Sequence, residues 1–402
     1  MHFPARMVVF CFFTSALITY LVACGGSGSS FTSKATKGYA VADYDNNRLL
    51  IYNAPFSTNQ NAGVVLGQAD FTHGSSLGYA ANTLTPYAVA ADSSGNLYVD
   101  DFEGCRVLQF KPPFTNNMNA SVVIGEPDFT SRSCTATANT IELPLAVAID
   151  GNGNLWVAER YTTSRILEFV PPFSNGMNAT LVIGQNSLTN SLGCNQGLAA
   201  PTASTICGSE GMTFDASGDL WVADSGNERV LEFKPPFATG MAASVELGQP
   251  SATAFTSVIA NNGGQSASTV NDPNHPAFDA SGNLWVTDAF NQRVLEYTPP
   301  FSNGMAATME VGQPSATAFT SNTENTSQSG FKYPCSLSFD PSGNMQVVDC
   351  QNNRVLVFDT PFSNGMNATL VLGQANFTSG AVNQGGSTGA NTLDQASGVV
   401  AF

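Results

Sequence analysis

The sequence predicts an all-β chain, a six-bladed β-propeller with four antiparallel strands per blade, on three observations. A short stretch is written six times: RLLIYNAPF from Arg48, RVLQFKPPF from Arg106, RILEFVPPF from Arg165, RVLEFKPPF from Arg229, RVLEYTPPF from Arg293 and RVLVFDTPF from Arg354. The repeat arginine recurs every 58 to 64 residues, enough chain for four short strands and their connections. The two ends of the chain hold complementary pieces of one repeat, which closes a ring without leaving an open sheet edge.

Taken in chain order, the first element is a targeting segment. Arg6 precedes the apolar run MVVFCFFTSALITYLV, of signal-sequence length and slightly short for a membrane span. The run ends in Leu21-Val22-Ala23-Cys24 and is followed by GGSGSS, which resembles a bacterial lipobox. That resemblance implies a signal peptide over 1–23, a lipid on Cys24, and an anchor and Gly/Ser tether over 24–37. Gly25 stands where an Asp would favour inner-membrane retention. The expected address is therefore the cell envelope, at the periplasmic or surface side of the outer membrane.

The domain over 38–402 is built from the repeat. One unit reads FDASGDLWVADSGNERVLEFKPPFATGMAASVELGQ over 214–249. D-x-x-G-N/D between apolar runs is a tight hairpin signal, and LWVAD and RVLEF are short strands of β-branched and aromatic residues. PPFATGMAA is a Pro/Gly loop leading to a fourth strand at SVELG, and GMTF before Asp215 supplies the innermost strand. The first copy starts at GYAVAD (38–43), already in its second strand, and the chain stops at SGVVAF (397–402), a first strand with nothing after it. The C-terminus is therefore expected to complete blade 1.

Composition narrows the partners. The chain has 402 residues, 43% hydrophobic and 11% charged, with 14 Lys+Arg against 30 Asp+Glu. A net charge of −16 repels phosphate backbones and argues against nucleic acid. Setting aside Cys11 and Cys24, six cysteines remain, and an even number in an oxidising compartment reads as disulfides. Cys194 and Cys207 share one inter-blade segment. Cys335 begins a first strand whose blade carries Cys350 after its second strand, and Cys105 sits in a turn of the blade that Cys134 follows. The expected pairs are 105–134, 194–207 and 335–350, each stabilising by about 3 kcal/mol in the chain-entropy account.

The A-D-x-x-N-x-R-V pattern, from Ala223-Asp224 to Arg229-Val230 and again from Asp288 to Val294, resembles the NHL repeat of six-bladed propellers. The resemblance spans 38–402. It implies the fold and leaves the activity open, because the family holds scaffolds, sensor domains, RNA-binding domains and a lyase.

Repetition separates structure from candidate chemistry. An acid precedes each repeat arginine: Asp43–Arg48, Asp101–Arg106, Glu159–Arg165, Asp224–Arg229, Asp288–Arg293 and Asp349–Arg354. These are expected to be half-exposed pairs in which each acid caps its turn, contributing about 1 kcal/mol or less apiece. Trp156, Trp221 and Trp285 share a second-strand slot, held by Tyr98 in blade 2 and Gln346 in blade 6, and are expected to pack between blades. The inter-blade segments (69–85, 127–143, 186–208, 250–272, 314–333 and 375–396) are long and rich in Ser, Thr, Asn and Gly. They should crown one face as a recognition surface.

At the channel mouth, counting back from each first-strand Asp aligns Tyr87, Leu145, Glu210, Asn274, Cys335 and Gly398, followed by Ala88, Ala146, Gly211, His275, Ser336 and Val399. Glu210, Asn274 and His275 form the candidate site, with acid–base potential. Only His73 and His275 remain in the mature chain, too few for a three-histidine zinc site. Calcium at Glu210 and Asn274 stays open, and no other cofactor is expected. No G-x-S-x-G, Walker, H-E-x-x-H or C-x-x-C motif occurs. The leading expectation is a monomeric, lipid-anchored, non-catalytic recognition or scaffold module for a protein, peptide or glycan. The alternative is a propeller lyase or lactonase-like hydrolase with a metal at the channel mouth.

Overall fold

The structure, a computed structural model, describes residues 38–402 apart from 161, 190, 316 and 317. The signal segment, Cys24 and the tether fall outside the described residues. Among the described residues the backbone forms six sheets of four antiparallel strands. Blade 4 shows the pattern, with Ser209–Phe214 innermost, then Leu220–Asp224, Arg229–Phe233 and Val245–Leu247 outermost. Its inner hairpin turns because the Asp215 carboxylate accepts the backbone N–H groups of Ser217 and Asp219 at 2.8 and 2.9 Å. Gly218 there holds a φ of 84° that side chains resist. The ring closes on the C-terminus: Ala396–Ala401 pairs antiparallel with Gly38–Asp43, and Gly38 and Phe402 exchange backbone hydrogen bonds of 3.3 and 3.1 Å.

The core is six wedges between neighbouring blades. Trp221 of blade 4 meets Phe301 of blade 5 with ring centroids 4.7 Å apart. Trp156 and Trp285 meet Phe237 and Phe362 of the following blades at 5.0 and 4.9 Å. Each Trp is fully buried, so in blades 4 to 6 the Phe of the P-F repeat holds its blade to the one before. Disulfides join Cys105 to Cys134, Cys194 to Cys207 and Cys335 to Cys350.

The acid–arginine pairs depart from the half-exposed expectation. All six arginines are 0% exposed. Each Nε donates to its acid in all six blades, for example Arg48 to Asp43 at 2.6 Å, and Arg165 adds a second bond to Glu159 through Nη2 at 2.6 Å. The reason is that the long segments fold over the guanidinium. Arg48 donates to the carbonyls of Phe71, Gly389 and Thr392, in the segments on either side of its blade, at 2.6, 2.9 and 2.9 Å. The second carboxylate oxygen takes a loop N–H, as where Cys207 donates to Asp224 at 2.6 Å. These long segments are therefore pinned from within, and truncating one member of such a pair would strand a buried charge at a cost of about 3–5 kcal/mol.

The residue before each arginine clips its blade to the next stretch of chain. Asn47, Cys105, Ser164, Glu228, Gln292 and Asn353 all have left-handed φ values of 47° to 56°. Ser164 accepts from Gly208 N, Glu228 from Asp272 N, Gln292 from Tyr333 N and Asn353 from Gln395 N, at 2.6 to 3.2 Å. Asn47 accepts from the Thr85 hydroxyl at 2.8 Å, and Cys105 uses its disulfide.

Candidate functional site

The mouth is shaped by a bulge at the start of each inner strand. In blades 3, 4 and 6 the ladder skips one residue: Leu145, Glu210 and Cys335. In blade 1 the skipped residue is Ser397, between Ala396 and Gly398. This corrects the alignment of Gly398 with Leu145 by one place. The strand over Ala396–Ala401 ends before any hairpin Asp, so blade 1 offers nothing to count back from.

Blades 2 and 5, which face each other across the ring, skip two residues: Tyr87-Ala88 and Asn274-His275. The freed backbone donors need acceptors, and one side chain in each blade supplies them. Asp100 Oδ1 accepts Tyr87 N and Ala88 N at 2.7 and 2.6 Å. Thr287 Oγ1 accepts His275 N at 2.7 Å. The other blades carry Ala42, Ala158, Ala223 and Val348 at that slot. The widening also needs Gly211, because a Cβ there would collide with the Asn274 carbonyl and the His275 Cα.

The bulges open a chamber of about 350 Å³ whose walls include Tyr44, Tyr87, Phe102, Arg160, Glu210 and Tyr333, with Cys335 and Cys350 of one disulfide alongside. Tyr44, Tyr87 and Phe102 form one aromatic wall, with pairwise ring centroids 5.9 to 6.1 Å apart. The Tyr87 hydroxyl donates to Glu210 Oε2 at 3.5 Å, and the Tyr333 hydroxyl donates to Asp272 Oδ2 at 2.7 Å. Burial first, then the Glu210 carboxylate, pushes both phenols well above their ordinary range. Both phenols therefore keep their protons and spend them on carboxylates.

Asn274 is 1% exposed and donates through Nδ2 to the Asp272 carbonyl at 3.2 Å, while its Oδ1 meets no partner. Its side chain also bears on the Tyr333 hydroxyl and the Asp272 carboxyl. His275 belongs elsewhere. It lines the bore below the mouth with Val89, Met212 and Leu337, and burial pulls it down to about 4, so the imidazole is neutral at physiological pH. The structure thus puts Glu210 in the chamber wall, buries Asn274 against Asp272 and turns His275 into the channel. Among the described residues no three His, Cys, Asp or Glu side chains are grouped to hold a metal ion.

Sequence reasoning missed Tyr44, Phe102, Arg160, Asp272 and Tyr333. A signal existed for the first three. The residue directly after each repeat acid reads Tyr44, Phe102, Arg160, Ser225, Ala289, Cys350, so bulk gathers on one side of the mouth. Asp272 and Tyr333 directly precede an inner strand and have left-handed φ of 58°, a strained backbone for such residues.

No protein-family model matches the chain, and none of the curated proteins does. Solved structures do match. A protein of unknown function from Bacteroides caccae superposes with a TM-score of 0.54 at 10% identity, over 92% of this chain and 99% of that one. A chain of a nidogen/laminin complex gives 0.53 at 13% identity, over 90% and 97%. A streptogramin B lyase gives 0.41 at 12%, over 73% and 72%. At these identities the first two likenesses show the fold alone: the chain is a six-bladed β-propeller.

Proposed function

We propose that the protein is a lipid-anchored, extracytoplasmic recognition module of NHL-repeat type that binds its partner through the long-loop face without catalysing a reaction on it. One observation carries this reading. Of the nine large apolar side chains that stand exposed among the described residues, eight lie on that face: Leu77, Tyr79, Leu192, Leu198, Val258, Ile259, Phe290 and Val382, the most open being Ile259 at 59%. Only Val170 lies on the opposite face. Exposed apolar groups set in a polar, acidic rim are the composition of an interaction surface. The chain enters the propeller at Gly38, at the other end of the strand from Asp43 and its turn.

A photo-crosslinker placed at position 198 in cells should trap a partner, and the same group at position 170 should not. Equal trapping from both faces, or none from position 198, refutes the reading.

A further inference from the structure

The chamber's hydrogen-bonding inventory is lopsided. The Tyr87 and Tyr333 protons are already given to Glu210 and Asp272. Asn274, buried against Asp272 and Tyr333, does not line the chamber, so the accepting oxygens there are those of Glu210 and the two phenols. The Glu210 carboxylate and the Tyr87 and Tyr333 oxygens line the chamber beside the rings of Tyr44 and Phe102, in a cavity large enough for a small ligand. With no metal-holding group among the described residues, an organic donor fits the site best.

The aromatic walls of this face already take cations. The Arg160 guanidinium lies over Phe102 at 5.7 Å, and Arg106 and Arg132 lie over Tyr79 at 5.8 and 5.5 Å. The net charge of −16 adds long-range attraction for positive ligands.

From this convergence we infer that the mouth chamber is a binding site for an organic cation, an alkylammonium or guanidinium group on a slender chain. Its N–H groups meet Glu210 and the phenol oxygens, and its methylenes lie on Tyr44 and Phe102. Cation–π attraction and charge-assisted hydrogen bonds act on the same group there. The inference rests on the recognition reading and names the chemistry recognised.

The test is calorimetric titration of the full-length protein in detergent with n-butylammonium, n-butanol, butyrate and the peptide Gly-Gly-Lys-Gly-Gly. Butylammonium should bind more tightly than butanol and butyrate, and Glu210→Gln should weaken it by roughly tenfold. Phe102→Leu should weaken it several-fold. A peptide bound more tightly than butylammonium assigns the cation to a polypeptide side chain, and equal or weaker binding assigns it to a free amine. Preference for butyrate that is lost in Arg160→Gln would make the chamber an anion site and overturn the inference. So would indifference of butylammonium to Glu210→Gln.

Should that variant fail to fold, salt decides with the wild type. Going from about 0.05 to about 0.5 M should weaken butylammonium and spare butanol, and equal effects on both refute the charge. If no cation binds while position 198 still cross-links its partner, the inference falls and the recognition reading stands. Cation binding without cross-linking fails the loop-face reading alone.

Discussion

The clip between blades 4 and 5 is predicted to cost the protein stability at alkaline pH, and Glu228→Gln should recover it. Glu228 Oε2 accepts the Asp272 N–H at 2.6 Å. Burial, and then the Asp272, Asp288 and Asp224 carboxylates, push its own carboxyl up to about 7 from an ordinary 4.5. A carboxyl whose folded pKa is raised binds its proton more tightly in the folded state. Below about pH 4.5 it is protonated folded or unfolded and contributes nothing. Stability then falls as pH rises from there to about 7, and above 7 the whole penalty applies.

That rise in pKa corresponds to about 3.4 kcal/mol. Because the group is only half-buried, solvent screening reduces this to about 1.5 kcal/mol. Glutamine keeps the acceptor and removes the charge. Blade 5 already uses that solution, with Gln292 Oε1 accepting Tyr333 N–H at 2.6 Å.

At the unfolding entropy typical of a domain this long, Glu228→Gln should raise Tm by about 2 °C at about pH 8 and leave it nearly unchanged at about pH 5. Differential scanning calorimetry of both proteins at matched ionic strength measures it. A shift at pH 8 no larger than at pH 5, or a lower Tm for the variant at pH 8, would refute the reasoning.

Three further outcomes are expected. Deleting residues 397–402 removes most of the strand that pairs with Gly38–Asp43 and should lower the melting temperature of the whole domain; a truncated chain that melts like the intact one contradicts closure by the C-terminus. Arg354→Ala leaves Asp349 buried without its 2.7 Å partner and frees the carbonyls of Ser327 and Gly330, so urea unfolding should show a loss of about 3–5 kcal/mol; a loss under about 1 kcal/mol would mean that these pairs behave as surface pairs. Cys24→Ala should leave an unprocessed or mislocalised precursor, and normal cleavage with membrane association intact would remove the anchor from the proposed function.

What could be read from the sequence divides along the repeat. The blade count, the strands and the C-terminal latch were legible because a strand pattern repeated six times averages out the noise of any single copy. The cysteine pairs were legible because topology puts each pair at one end of one blade or loop. The burial of the arginines was not. A charged residue every sixty or so positions reads as surface, and only the fold shows a loop wrapped over each guanidinium with its carbonyls turned inward. Comparing blades at one position picked out Glu210, which lines the chamber, and Asn274, which does not. Tyr44 and Phe102 were missed because they lie one residue past the acid, and Tyr333 because it stands just before its inner strand, all outside the strands that alignment follows.

The same division explains why the mouth has the shape it has. A perfectly repeated propeller would carry a small residue at the Ala158 slot in every blade, one bulged residue apiece, and a narrow symmetric mouth. Asp100 and Thr287 break that pattern in the two blades that face each other, and each does so by replacing a ladder partner with a side-chain acceptor. The inner strands there are released by one more residue, Ala88 and His275, next to the bulged Tyr87 and Asn274. Bulk after the acid in blades 1 to 3, against Ser225 and Ala289 in blades 4 and 5, then places aromatic faces on one side and carboxylates on the other. The aromatic rings of Tyr44 and Phe102 opposite Glu210 thus give the chamber a direction, and a ligand with an apolar stem and a positive end matches that direction.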